Sequence, residues 1–431
     1  MAKKETTIWL CENCGNEFSA WSGRCSACGE WNTLKELKFK GSESGKAKNR
    51  NREKLEVKTI DEVDISEANR ISTGISEFDR VLGGGIVPGS VILLGGEPGI
   101  GKSTLLLQVA NNLDNVFYLS AEESVSQIKM RADRLSIKNK SILLINEGNI
   151  GQLESEILKA KPNLLIVDSI QTIYLEDYDA TPGSIVQVRE CGIFLQNFAK
   201  KNNIPVVLIG HVTKEGNLAG PRMLEHLVDT VLYLEGERFG DARILRGIKN
   251  RFGATNEVGI FSMQEEGMIE VKNPSELFLS ERTNSPGSVV TVALEGTRPI
   301  LLEIQALVVP THFGYPKRTS SGFDLNRLSL LAAVISKKTK INLSNSDIYL
   351  NVIGGVKLNE PAVDLAVCTA IISSYLNKSL PKNMALFGEV GLLGEVRKVV
   401  RQKDREKEAK ALGYEALSQP KNVVEIIDLF K

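Results

Sequence analysis

The stretch Val91-Ile-Leu-Leu-Gly-Gly-Glu-Pro-Gly-Ile-Gly-Lys-Ser-Thr104 decides how the rest of the chain is read. An apolar run ends in G-x-x-x-x-G-K-S, formed by Gly96, Glu97, Pro98, Gly99, Ile100, Gly101, Lys102 and Ser103, and Thr104 leads into the helical pattern Leu105 to Leu113. Strand, glycine loop and helix in this order make a Walker A loop. The glycines let successive backbone N–H groups face a triphosphate, and the helix adds the positive end of its dipole. Lys102 then reaches the β- and γ-phosphates, and Ser103 offers a hydroxyl to Mg²⁺. A plain glycine turn is the competing reading, and it accounts for neither the Lys-Ser pair nor the spacing.

Beyond the loop, strand-like runs at Val116 to Ser120, Ile142 to Ile145, Leu164 to Val167 and Pro205 to Ile209 alternate with helical patterns. This alternation predicts an α/β fold, a mostly parallel sheet with helices on both faces. Open sheets of this kind place their ligands at the carboxyl ends of the strands, and two carboxylates fall there. Asp168 closes Leu164-Leu-Ile-Val-Asp168 as a Walker B aspartate for Mg²⁺. Glu122 follows Tyr118-Leu-Ser-Ala as the group to orient an attacking water, ahead of its neighbour Glu123.

With 431 residues the chain is too long for one core, and two or three domains are expected. Lys plus Arg and Asp plus Glu both number 53, so any affinity for a polyanion must come from local patches. The start Met-Ala-Lys-Lys-Glu has no signal-peptide core and no apolar run approaches a membrane span, which makes a cytoplasmic location the expectation.

Cys11, Cys14, Cys25 and Cys28 read C-x₂-C-x₁₀-C-x₂-C, two knuckles that can place four thiolates around one Zn²⁺. Residues 1–34 are therefore read as a zinc-binding module, with Phe18, Trp21 and Trp31 expected as its cover. Base stacking is the other use open to these rings. Cys191 and Cys368 sit alone in apolar segments as core residues. Residues 35–62 read as a flexible basic linker, since Lys35 to Lys58 holds nine Lys/Arg against four Asp/Glu. Residues 63–275 hold the nucleotide-binding domain and 285–431 a third domain.

Thr73-Gly-Ile, the P-loop, Glu122 and Asp168 together resemble the RecA-type ATPase core. Cys11-x-x-Cys-Gly, Trp21-Ser-Gly-Arg-Cys, Gly210-His-Val-Thr-Lys-Glu-Gly216, Leu224-Glu-His-Leu-Val-Asp-Thr-Val-Leu-Tyr-Leu-Glu-Gly236 and Lys249-Asn-Arg-Phe-Gly253 narrow this. Across essentially the whole chain the sequence closely resembles the bacterial RadA (Sms) family of recombination and DNA-repair ATPases. The resemblance implies ATP, Mg²⁺ and Zn²⁺ as cofactors and a homo-oligomer, a hexameric ring. It also implies single-stranded DNA and branched recombination intermediates as substrates, with RecA recombinase as a partner. An ATP-driven unfoldase or scaffold for protein partners is the reading from a different class. His211 stands where RecA-like proteins sense the γ-phosphate, and a structural role is equally open. Lys214 and Arg222 flank a polar loop suited to DNA. Lys249 and Arg251 suit a phosphate contact on a neighbouring subunit's nucleotide or on DNA.

The third domain resembles the proteolytic domain of Lon, an α+β fold. Where Lon carries its serine nucleophile this chain has Ala362, and where Lon carries its lysine it has Arg397. A methyl group cannot attack a carbonyl and a guanidinium does not act as a base, so a non-proteolytic domain is expected. Arg397, Arg401 and Arg405 recur at i, i+4, i+8 as one helical stripe, and with Lys317 and Arg318 they are candidate DNA contacts.

Overall fold

The computed structural model describes residues 6–11, 16–39, 59, 70–211, 223–236, 242–280, 282–311, 315–416 and 420–430. Cys14, Lys214 and Arg222 lie outside the described residues. The chain divides into two compact units interleaved in sequence: 1–235 with 243–255 and 263–270, and 236–242 with 256–262 and 271–431.

At the N-terminus, Glu17–Phe18, Thr6–Cys11 and Leu34–Phe39 form an antiparallel three-stranded sheet. Leu34 pairs with Cys11 and Phe39 with Thr6, so ordered strand reaches five residues into the span expected as linker. Charge content misled there: Lys35, Glu36 and Lys38 outweighed the short apolar alternation of Leu37 and Phe39, and it is pairing with Thr6–Cys11 that makes the segment a strand.

The body of the first unit is a run of six parallel strands in the order Thr230–Glu235, Val91–Gly96, Val206–His211, Leu164–Asp168, Val116–Ser120, Ile142–Asn146. Ala242–Asn250 extends it antiparallel. Every residue of Val91–Gly96, Val116–Ser120 and Leu164–Asp168 is buried, which requires cover on both faces and explains why these strands read as unbroken apolar runs. On one face Leu93, Leu119, Val167 and Leu208 pack with Ile157, Val188 and Leu195 from the helices Ile150–Ala160 and Ile185–Asn202. Side-chain caps set helix starts. Ser124 closes a capping box with Gln127 before Val125–Arg134, and Ser184 accepts from the Gln187 amide before Ile185–Asn202.

The second unit carries a six-stranded mixed sheet in the order Arg318–Ser321, Ser346–Val352, Arg298–Pro310, Ser288–Glu295, Met384–Ala385, Glu415–Ala416. Among the described residues its α-helices are Pro274–Leu279, Leu325–Lys338, Asp364–Leu376 and Gln402–Ala411, an α+β arrangement. The expected arginine stripe does not exist. Arg397 ends the short strand Val396–Arg397, Arg401 has φ 55° just outside the helix, and only Arg405 is helical. Arg405 is moreover fully buried, locked to Glu360. Arg397 pairs with Glu395 and Arg401 with Asp404. Arg318 spends its guanidinium on the carbonyls of Lys317, Leu343 and Ser346, while Lys317 is exposed. Among the described residues no helix is long and apolar enough to cross a membrane.

Candidate nucleotide site and zinc centre

The parallel register brings four strand ends side by side: Gly96 pairs with His211, and Ser120 with Asp168. The strand ending in His211 lies between the P-loop strand and the strand ending in Asp168. This carboxyl edge is where such a sheet binds ligands.

Gly96 leaves its strand at φ 155°, and a Cβ there would stand 2.7 Å from the Leu234 carbonyl oxygen, so the tight exit excludes a side chain. At Gly99, with φ 80°, a Cβ would meet nothing within 4 Å, which leaves the mouth of the loop open. The helix Lys102–Asn112 begins at Gly101 with no side-chain cap, so its first amides are available to an anion. Lys102 is buried, and its ammonium donates to the carbonyl oxygens of Gly96 at 2.8 Å and Glu97 at 3.0 Å. Burial pushes its pKa down to about 8, against the opposing charges of Asp168 and Glu122. A desolvated cation beside uncapped amides fits a phosphate chain. Ser103 follows on the first helical turn.

Two residues that sequence reasoning passed over hold the carboxylates. The buried Tyr118 hydroxyl donates to Asp168 at 2.7 Å, and burial together with the Asp168 charge keeps that phenol protonated well above its ordinary range. Ser169 Oγ donates to Glu122, which also meets His211 Nε2 at 3.1 Å. The His211 contact is the main reason the Glu122 carboxyl is held below its usual range, with burial opposing and Ser169 assisting. Glu123 is instead tied to Arg131. Arg243 supports the loop from behind, its Nε donating to the Ile100 carbonyl at 3.2 Å. None of these partners has a motif: each comes from a strand that only the fold makes a neighbour.

Lys249 and Arg251 stand at the opposite edge of the sheet. Lys249 donates to the backbone carbonyls of Glu225, His226 and Val228, the last at 2.8 Å, closing the end of the helix Met223–Leu227. Arg251 pairs with Asp229 at 3.1 Å, and Asp229 in turn accepts from the Val91 amide, the first residue of the P-loop strand. The length of Val91–Gly96, about 16 Å at ~3.3 Å per residue, separates these cations from their own P-loop.

In the N-terminal module the sulfurs of Cys11, Cys25 and Cys28 lie within 4.8 Å of one another, with Cys11 and Cys28 at 3.7 Å. Tetrahedral thiolates around Zn²⁺ at ~2.3 Å give a sulfur spacing of roughly 3.8 Å, far from a disulfide bond. The turn Cys25 to Gly29 closes by a hydrogen bond from the Gly29 amide to the Cys25 carbonyl. The donor set and its spacing fit zinc. Cys191 and Cys368 are buried, as their apolar surroundings imply, and burial pushes the Cys191 thiol up to about 12.

A family model described as a rubredoxin metal binding domain matches residues 9–36, and a family of unknown function (DUF7125) matches residues 70–244. A solved structure described as the RadB recombinase aligns at TM-score 0.37 and 24% identity, over 47% of this chain and 99% of its own. The DNA repair protein RadA of Bacillus subtilis (strain 168) is 51% identical, covering 97% of this chain and 93% of its own. RadA of Listeria monocytogenes serovar 1/2a is 48% identical over 98% of this chain and 94% of its own. RadA of Streptococcus pyogenes serotype M1 is 50% identical over 100% and 95%. With roughly half of all positions shared from the cysteine knuckles through the P-loop sheet to the C-terminal unit, the chain belongs to the DNA repair protein RadA family.

Proposed function

We propose that this protein is a DNA-dependent ATPase of recombination and DNA repair, a ring-shaped motor that moves on single-stranded DNA and branched intermediates. The observation that carries the reading is the convergence of Lys102, Asp168, Glu122 and His211 on adjacent strand ends. The P-loop amides and Lys102 take the phosphates of ATP, and a polyanion there restores the charge that burial disfavours on Lys102. Ser103 and Asp168 would hold Mg²⁺, which when bound would supply positive charge to the phosphates. Glu122 orients the attacking water, and His211, bonded to Glu122, is placed to link the state of the nucleotide to the loop that follows it.

Lys249 and Arg251, remote from their own P-loop, are read as contacts to a neighbouring subunit's nucleotide or to DNA. The C-terminal unit is read as a Lon-like scaffold without peptidase chemistry. Ala362 is buried with no hydroxyl to offer, and Arg397 is exposed and paired to Glu395. RecA recombinase is the protein partner that this role in recombination entails.

The test is ATP turnover of the purified protein with and without single-stranded DNA, together with particle images. Stimulation by DNA and ring-shaped particles are expected. Stimulation by unfolded polypeptide and not by DNA would replace this reading with that of an unfoldase.

A further inference from the structure

All three tryptophans of the chain, Trp9, Trp21 and Trp31, lie in the zinc module. Cover for the sulfur cluster comes from Trp9 and Phe18, which pack against Cys11, Cys25 and Leu34. Trp21 and Trp31 do not serve as cover: they are 57% and 66% exposed. The position of a Cβ on Gly23 would lie 3.9 Å from one edge atom of each indole, so the two rings flank a residue with no side chain. Both are held from below. Trp21 meets Trp9 edge-on, with centroids 6.5 Å apart and planes at 65°. Trp31 is bridged through its backbone to Arg24, whose guanidinium lies 5.7 Å from the Trp31 ring centre. Arg24 is fixed by a hydrogen bond from its Nε to the Gly29 carbonyl at 2.8 Å, and among the described residues it has no acidic partner.

Exposed, positioned indoles call for a flat partner, and a guanidinium beside them with no carboxylate among the described residues calls for an anionic one. An apolar protein surface satisfies only the first requirement. We propose that Trp21 and Trp31 form a stacking platform for the unpaired bases of a single-stranded nucleic acid, with Arg24 meeting its phosphate. The platform belongs to the module and is independent of the nucleotide site.

Because no tryptophan lies elsewhere, the emission of the full-length, zinc-loaded protein reports this module alone. The protein is titrated without ATP against dT and rU oligomers of about 15 nucleotides, an abasic oligomer of that length and a duplex, with binding followed in parallel by anisotropy of labelled DNA. Quenching by dT, and not by the abasic oligomer or the duplex, is expected, and equal quenching by rU would extend the ligand to RNA. Trp21→Ala and Trp31→Ala should each raise the half-saturation concentration read from the remaining indoles by roughly tenfold, while zinc content stays at one equivalent. Trp21→Phe and Trp31→Phe should retain binding. Three outcomes overturn the platform: DNA binding by anisotropy with unchanged emission, equal quenching by the abasic oligomer, or an emission change elicited by a protein partner alone. Absence of any DNA binding would overturn the motor reading as well, and so is distinguishable.

Discussion

His211 Nε2 lies 3.1 Å from a carboxylate oxygen of Glu122, joining a residue that ends one strand to a residue just beyond the end of another. That contact is the leading reason the Glu122 carboxyl sits below its usual range. A depressed carboxyl stays ionised until pH falls through its lowered value, so turnover that needs the carboxylate is lost only at strongly acidic pH. His211→Ala removes the main cause, and the acidic limb of the ATP turnover profile should move to higher pH. Ser169→Ala should move it in the same direction, by less. An unmoved limb in both variants would show that Glu122 is not the titrating base.

Lys102→Ala should lower ATP turnover by roughly 100-fold or more, on the scale of losing one positioned charge stabiliser. The fold should survive, because the ammonium is disfavoured by burial and its partners are two backbone carbonyls of its own loop. Thermal unfolding beside the turnover assay checks both halves of this expectation.

Lys249→Ala should leave nucleotide affinity unchanged and reduce DNA-stimulated turnover by roughly 10-fold or more, as for a group acting in trans. Its position across the sheet from the P-loop is the reason. Nucleotide titration and stimulated turnover on the same preparation separate the two effects, and a collapse of nucleotide affinity would place Lys249 in its own subunit's site.

Arg405→Ala should destabilise the C-terminal unit by about 3 kcal/mol, the lower end for breaking a buried pair, because Arg405 is fully buried while the Glu360 left behind is 24% exposed. The Arg405 guanidinium grips both oxygens of Glu360, one at 2.9 Å, and also donates to the carbonyls of Val292 and Val400. Denaturant unfolding measures the loss. Arg405→Met combined with Glu360→Gln should recover part of it, since no unpaired charge is then left behind.

What adjacent residues encode could be read directly from the sequence. The P-loop, Asp168 and the cysteine spacing are local patterns, and unbroken apolar runs announce strands covered on both faces. Tyr118, Ser169 and Arg243 were invisible because their partners are brought close only by the register of separate strands. The Arg397, Arg401 and Arg405 stripe failed for a different reason: counting by fours assumes a helix, and left-handed backbone at Arg401 places the start one residue later. Trp21 and Trp31 were expected as cover because a small module needs some, but Trp9 and Phe18 already supply it.

The placement of Lys249 and Lys102 at opposite rims of one sheet gives each protomer a direction. Copies that meet by unlike rims join head to tail, and such a chain of contacts closes into a ring or runs on as a filament. If Lys249 acts on a neighbour's nucleotide as proposed, each junction in such an assembly would be made of two half-sites from different chains. Two variants each impaired in DNA-stimulated turnover, Lys102→Ala and Lys249→Ala, would then regain about one quarter of their junctions intact when mixed in equal amounts and allowed to exchange.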